Sequence, residues 1–169
     1  MAVIASAIGR ELGLPPLRCK LLHYAGIVHD LGKVAIPSEI LNKPGRLSHP
    51  EIFLIRTHVE HGVHILRDAG FCTRVLDVVA LHHEYLDGSG YPAGLTADSI
   101  PIEARILTVA DIYEAMTAHR TYRPSLGSET ALAELRNGAG SRFDRDVVVA
   151  LETILARVGN LESLDALGE

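Results

Sequence analysis

Apolar residues along this chain of 169 residues recur with the three- and four-residue spacing of helices, and no segment alternates like a strand. Glycines, prolines and capping residues divide the pattern into predicted helices at 2–12, 16–31, 48–70, 73–86, 102–118, 128–137 and 144–158. Loops are predicted at 33–47, with one short helical turn, and at 87–101, which is rich in glycine and proline. The nearly all-apolar helix at 102–118 is expected at the centre. The pattern predicts an all-α protein.

Length and composition predict a single domain. Residues 1–160 are enough to bury a core without disulfides, and 161–169 are expected to form a C-terminal tail. The two cysteines have no CxxC spacing, which argues against a disulfide framework or a zinc knuckle. The chain has no apolar run long enough for direct membrane insertion and no basic start typical of a secretion signal. A cytoplasmic location is therefore expected.

Charge narrows the range of partners. The net charge is −5 and the basic residues do not cluster, which argues against a DNA or RNA duplex as partner. An anionic ligand would have to be met locally, by metal ions and a few placed cations. Most of the nine histidines lie between His23 and His83. This clustering is the first indication of metal chemistry.

Two pairs of adjacent residues are candidate metal ligands. His29 and Asp30 lie near the C-terminal end of a predicted buried helix, where a capping Asp beside a buried His is the alternative. His82 and His83 continue the apolar face of the helix predicted at 73–86. Two adjacent buried imidazoles would need a shared cationic ligand, and the alternative is one buried and one exposed histidine.

His58 is a further candidate ligand. It lies one helical turn before Gly62, and a glycine inside a helix usually marks a close approach of another segment. His58 is therefore expected on the inward face of its helix. His61 and His64 lie on other faces and are expected to be exposed bystanders.

Asp111 completes the set of candidates. It lies on the apolar face of the central helix, where a carboxylate needs a metal ion or a salt bridge, for example to Arg105 or Arg120. Four imidazoles and two carboxylates, without a cysteine, favour iron or manganese over a structural zinc site. Six ligands are too many for one ion with open positions. Two ions bridged by Asp30, an arrangement suited to phosphoester hydrolysis, are the simplest prediction.

The segment after the paired histidines resembles a known signature. HHEYLDGSGYPAGL is similar to the motif of the HD-GYP domain, a branch of the HD phosphohydrolases. The similarity also includes HDLGKVAIP, ILNKPGRLS, HVEHG, ADIYEAMTAHRTYR and AGSRFDRDVV, and covers about residues 14–150. The resemblance implies one HD-type helical domain, with five core helices and extra helices. It also implies two or three iron or manganese ions, and hydrolysis of cyclic di-GMP to pGpG or GMP.

The resemblance also implies roles for individual residues. The six candidates above match the metal ligands of the family, and Asp30 and Lys33 are the expected catalytic residues, with Lys33 close to the scissile phosphate. The expected substrate-binding residues are Lys33, Tyr91, Glu114, Arg120 and Arg123. Tyr91 belongs to the Gly-Tyr-Pro loop, and Glu114 replaces a commoner aspartate. The two arginines match positions that contact guanine or phosphate.

In the family a histidine, sometimes with a nearby glutamate, completes the metal shell, and by alignment it would fall just before Met1. Either the chain is a fragment of a longer protein, or the first metal has lost a ligand. Two alternatives to the phosphodiesterase therefore stay open. One is a non-catalytic module that binds a cyclic dinucleotide or a partner protein through the Gly-Tyr-Pro loop. The other is a hydrolase of a different nucleotide, such as a hybrid cyclic dinucleotide or a (d)NTP, and the Gly-Tyr-Pro loop argues against the mononucleotide. The resemblance is compatible with an upstream sensor or receiver domain, with signalling partners and with a homodimer.

Overall fold

The computed structural model describes residues 1–118 and 125–158. Within these ranges the chain forms nine α-helices and no strand, which confirms the predicted all-α fold. The helices are α1 (Ala2–Glu11), α2 (Pro16–Val28), α3 (Ser38–Leu41), α4 (His49–Arg56), α5 (His58–Asp68), α6 (Thr73–Leu81), α7 (Ile102–Thr117), α8 (Ser128–Gly138) and α9 (Arg145–Val158). Two 3-10 turns, Leu31–Ala35 and Ala97–Ser99, lie in the connecting segments.

Two helices end earlier than the hydrophobic pattern predicts, and a third is divided in two. The helix predicted at 16–31 stops at Val28, the one at 48–70 is broken at Thr57, and the one at 73–86 stops at Leu81. Apolar periodicity reports burial, and burial continues past these ends, so the pattern alone placed the boundaries wrongly. His82 and His83 therefore lie in the turn that follows α6 and not on its face.

Helix α7 lies at the centre of the fold, as predicted. It packs against α1, α2, α6, α8 and α9, and its apolar residues Ile106, Leu107, Val109 and Ala110 are fully buried. One polar contact ties it to the end of α6, because the Thr108 hydroxyl donates a hydrogen bond to the carbonyl oxygen of His82 at 2.8 Å. The core thus holds the turn that carries the paired histidines.

Two glycines bring the first 3-10 turn against α5. A Cβ atom on Gly32 would lie 1.9 Å from the carbonyl oxygen of His58 and 2.4 Å from the amide nitrogen of Gly62. A Cβ atom on Gly62 would meet the nearest atom, the nitrogen of Gly32, at 3.3 Å. The close approach predicted at Gly62 is present, and Gly32 is the more crowded partner. This contact holds the segment of Asp30 against the start of α5.

The described residues contain no helix that is long and apolar enough to cross a bilayer. The cytoplasmic location stays a prediction. The domain boundary at residue 160 also stays a prediction, since residues 159–169 lie outside the described part of the chain.

The glycine contact generates a test of the fold. Gly32→Ala should lower the free energy of unfolding by about 3 kcal/mol or more, because the methyl group would overlap backbone atoms that cannot move independently. The matched control is Gly62→Ala, in which a shift of a few tenths of an ångström relieves the contact. Urea denaturation of the three proteins measures the difference. Equal stability of Gly32→Ala and the parent chain would show that α5 does not pack as described.

Candidate metal centre

Three histidines lie at or just after the ends of helices, and each ring is held by a carbonyl group of the preceding helical turn. The last carbonyl groups of a helix have no amide partner within the helix and are free to accept other hydrogen bonds. The Nδ1 atoms of His29, His58 and His82 donate to the carbonyl oxygens of Gly26, Ile55 and Val79, at 3.0, 2.7 and 2.6 Å. A carbonyl oxygen can only accept, so these bonds place the proton on Nδ1. Each Nε2 atom therefore presents a lone pair when the ring is neutral.

These three Nε2 atoms are buried, and none has a hydrogen-bond partner within residues 1–118 and 125–158. The side chains of His58 and His82 are only 1% exposed. Leaving a buried polar atom unpaired costs about 1–3 kcal/mol, so several in one place indicate a ligand for them. The oriented lone pairs fit a metal ion, whose imidazole ligands typically bind through one nitrogen and donate from the other.

The first set of donors is compact. One ligand atom from each of Asp30, His58, His82 and His83 lies within 4.8 Å of all the others. The rings of His82 and His83 have centroids 3.9 Å apart, and the ring of His58 lies 5.3 Å from that of His83. Three imidazoles and one carboxylate can thus reach a single ion.

The second set of donors shares Asp30 with the first. Its Oδ2 atom lies 3.3 Å from Nε2 of His29, and its Oδ1 atom lies 3.5 Å from Nε2 of His58. Asp111, on α7, places Oδ1 3.6 Å from the same Nε2 atom of His29. The two oxygens of Asp30 therefore face different groups of donors, and the second group is His29, Asp30 and Asp111.

The electrostatics of the first set favour neutral imidazoles. Burial lowers the pKa of His58, and burial together with the charge of His29 lowers the pKa of His82 to about 4. Burial and the neighbouring His82 also lower the pKa of His83. These rings are therefore neutral at pH 7 and can act as ligands without losing a proton.

The carboxylates and His29 behave differently. Burial raises the pKa of Asp30, but the neighbouring imidazole of His29 and ammonium of Lys33 outweigh it, so the pKa lies well below its usual value. The pKa of Asp111 is lowered as well, with burial opposed by His29. For His29, burial is outweighed by the two aspartates, which raise its pKa to about 9. A cation bound between these carboxylates would displace that proton.

The Gly-Tyr-Pro loop is fastened to the residues that follow the paired histidines. The Tyr91 ring stacks on His83 with a centroid distance of 4.6 Å, and the Tyr91 amide donates to the carbonyl oxygen of His83. Glu84 is 2% exposed, and its carboxylate accepts hydrogen bonds from the amides of Ala93, Gly94 and Leu95 at 2.7, 3.1 and 3.0 Å. A Cβ atom on Gly90 would lie 2.5 Å from the Cα atom of Glu84, so the loop backbone rests directly on this segment.

Two residues of this region were missed by the sequence reasoning. Glu84 follows the paired histidines directly, and a charged residue beside two ligand candidates inside an apolar run is the signal that could have found it. Arg56 has no such signal, because it lies in an exposed position of α4. Its guanidinium carbon lies 4.7 Å from the centroid of the Tyr91 ring.

The structure also gives the partners of Lys33 and Glu114, two of the remaining predicted residues. Lys33 places Nζ 2.5 Å from Oδ2 of Asp30. The carboxylate of Glu114 pairs with the amino group of Met1. Arg120 and Arg123 lie outside the described residues.

The other interpretations of these residues are a salt bridge for Asp111 and an exposed position for one of the paired histidines. Arg105 pairs with Asp144 at 3.0 Å and donates to two backbone carbonyls, so it is not the salt-bridge partner proposed for Asp111. Arg120, the other proposed partner, is not described. His83 lies among the other rings, and so the split into one buried and one exposed histidine does not hold for the pair. His61 and His64 are exposed.

Fold and centre together define an all-α protein built around a histidine and aspartate cluster that fits divalent transition metals. The model of the HD domain family matches residues 1–147, and the chain belongs to this family. The cyclic di-GMP phosphodiesterase response regulator RpfG of Xanthomonas campestris is 39% identical over 155 residues, which are 89% of this chain and 40% of RpfG. A 3′3′-cGAMP-specific phosphodiesterase of Vibrio cholerae is 38% identical, over 89% of this chain and 29% of its own length. The chain thus spans less than half of either relative.

A solved structure shares the fold. The HDG"Y"P protein Bd1817 from Bdellovibrio bacteriovorus superimposes with a TM-score of 0.73 at 20% identity, over 92% of this chain and 51% of Bd1817. This match confirms the predicted HD-type helical fold, while the family model and the relatives confirm the resemblance to the HD phosphohydrolases drawn from the sequence.

The shared position of Asp30 generates a test of the metal centre. The purified chain is expected to carry close to two divalent ions, and Asp30→Ala should remove most of both, because its two oxygens face both sets of donors. Elemental analysis of anaerobically purified protein measures the content. The matched control is the double variant His61→Ala/His64→Ala, which should keep its metal while His82→Ala loses it. Unchanged metal in Asp30→Ala would refute the assignment.

The carboxylate of Glu84 generates a test of the loop. Glu84→Gln should speed up amide hydrogen exchange at Ala93, Gly94 and Leu95, because an amide side chain cannot accept all three bonds. The expected loss in the free energy of unfolding is about 1–3 kcal/mol. Glu60→Gln, at an exposed site on α5, is the control. Unchanged exchange in Glu84→Gln would show that another contact holds the loop.

Proposed function

We propose that this chain is a metal-dependent phosphodiesterase that hydrolyses cyclic di-GMP to pGpG or GMP. The observation that carries the proposal is the position of Asp30, whose two oxygens face two sets of donors. A carboxylate placed in this way is suited to bridge two ions. The donor set of imidazoles and carboxylates favours iron or manganese. RpfG, which carries the name of a cyclic di-GMP phosphodiesterase, supports the reaction class.

In this proposal the ligands divide into two groups that share Asp30. The first group is Asp30, His58, His82 and His83, and the second is His29, Asp30 and Asp111. When bound, such a pair of ions supplies nucleophile activation and charge stabilisation for phosphodiester hydrolysis.

Other residues of the chain act on the substrate. The Lys33 side chain is 38% exposed beside Asp30, so its ammonium lies at the solvent side of the centre. There it can neutralise charge that develops on the phosphoryl oxygens. Tyr91 covers one face of His83 and limits the access of water to that ring. Glu114, Arg120 and Arg123 are proposed to complete the nucleotide site.

A second candidate function is a non-catalytic module that binds a cyclic dinucleotide or a partner protein. The observation that favours it is the inequality of the two donor sets, since the first has four residues and the second has three, one of them shared. A weaker second site would leave the centre partly filled. A hydrolase of the hybrid dinucleotide 3′3′-cGAMP is the other alternative, because one relative carries that name.

Turnover separates these functions. Protein loaded with manganese or iron under reducing conditions is incubated with cyclic di-GMP, and the products are separated by chromatography. The proposal predicts conversion to pGpG or GMP. Binding of cyclic di-GMP without conversion would favour the binding module. Conversion of 3′3′-cGAMP at a much higher kcat/KM would reassign the substrate.

Lys33 generates a test of the mechanism. Lys33→Ala should keep its metal, because a protonated lysine offers no lone pair. It should lose roughly 100- to 1000-fold in kcat, the effect of removing one donor worth about 2.7–4 kcal/mol to the transition state. Lys20→Ala, an exposed position on α2, is the control for charge removal. A normal kcat in Lys33→Ala would exclude the proposed role, and loss of metal would point to a structural one.

A further inference from the structure

Three side chains form a continuous stack at the edge of the metal centre. Tyr91 lies between His83 on one side, 4.6 Å between ring centroids, and the guanidinium of Arg56 on the other, 4.7 Å from the ring centroid. The ring is held in place through the loop contacts of Glu84 and through the bond from the Tyr91 amide to His83. The outer end of this stack is a cation.

The position of Arg56 leaves its hydrogen-bonding edge available. The residue is exposed, and no carboxylate pairs with it in the part of the chain that the structure describes. A guanidinium stacked on a ring by its face still presents its N–H groups in the plane. Lys33, in contrast, is paired with Asp30 at 2.5 Å. The stacking also restricts the rotamers of Arg56, which reduces the entropy lost on binding a ligand.

The net charge of −5 makes a placed cation significant. A cyclic dinucleotide carries two negative charges, one on each phosphodiester, and the net negative charge of this chain does not attract them. An arginine edge binds phosphate in a bidentate manner. The Tyr91 ring lies between the guanidinium of Arg56 and the ring of His83, so Arg56 stands outside the group of metal-binding side chains.

We infer that Arg56 binds the second phosphate of the cyclic dinucleotide, the one that is not being cleaved. The inference rests on the proposed function, because it takes the scissile phosphate to lie at the metal centre. Arg56 then acts in substrate recognition, and its contribution is made equally in the ground state and the transition state. It raises affinity without changing the chemical step.

Steady-state kinetics of manganese-loaded protein test this role. Arg56→Gln should raise KM for cyclic di-GMP roughly 10- to 100-fold with kcat nearly unchanged, as expected for the loss of hydrogen bonds to a charged group. Hydrolysis of bis(p-nitrophenyl) phosphate, which has a single phosphate, should not change. The KM of Arg56→Lys for cyclic di-GMP should lie between those of the parent chain and Arg56→Gln, because lysine keeps the charge but not the bidentate edge. The matched control is Arg67→Gln, near the far end of α5.

Several results would overturn the inference. One is an unchanged KM for cyclic di-GMP in Arg56→Gln. Another is an equal loss of activity towards cyclic di-GMP and bis(p-nitrophenyl) phosphate, which would indicate that the substitution has disturbed Tyr91 and His83. A third measurement separates phosphate from guanine. The KM of the parent chain should rise with salt more steeply than that of Arg56→Gln, because ion pairing with phosphate is screened. Equal salt dependence would assign Arg56 to the base and contradict the inference.

Failure of the proposed function can be distinguished from failure of the role of Arg56. If the parent chain binds cyclic di-GMP without turnover, the Kd of the same variants is measured by equilibrium dialysis in place of KM. A weaker Kd in Arg56→Gln would then support Arg56 while the hydrolase proposal fails. If the parent chain turns over cyclic di-GMP and Arg56→Gln has the same KM, only the role of Arg56 fails. If the parent chain neither binds nor hydrolyses it, both fail.

Discussion

The hydrogen bonds between helix-end carbonyls and imidazole rings are the interaction on which the centre depends. A helix that stops in the interior leaves carbonyl groups without amide partners. Here three carbonyl groups in the last turns of helices accept from Nδ1 of His29, His58 and His82. Each bond satisfies a buried acceptor and also fixes the orientation of a ring. The same feature that ends the helices therefore orients three imidazole rings within the metal centre.

The charges of the centre follow from its burial. Imidazoles that are surrounded by apolar helices stay neutral, which keeps His82 and His83 available as ligands. The carboxylates Asp30 and Asp111 stay ionised because His29 lies between them. The centre thus offers neutral nitrogen and negative oxygen donors at the same pH, a combination suited to a divalent cation. The centre includes Asp111 of α7, so the positions of its ligands depend on the packing of the core around that helix.

Much of this arrangement could be predicted from residue types and spacing. The helical period gave the all-α fold and the central position of α7, and the need to satisfy buried polar groups singled out His29, Asp30 and Asp111. Helix ends were misplaced, because the pattern of burial runs through them. The consequence was largest for the paired histidines, which lie in a turn. Glu84 and Arg56 were missed since their contacts are made by a loop whose path no periodicity describes.

Anomalous diffraction at the manganese edge would locate the metal ions relative to Asp30. Crystals of the anaerobically loaded chain should show two peaks about 3.5–4 Å apart, the spacing of two-metal hydrolytic sites. Both peaks should contact Asp30, one together with His58, His82 and His83 and the other with His29 and Asp111. A single peak, or two peaks that do not share Asp30, would show that Asp30 does not join two metal sites.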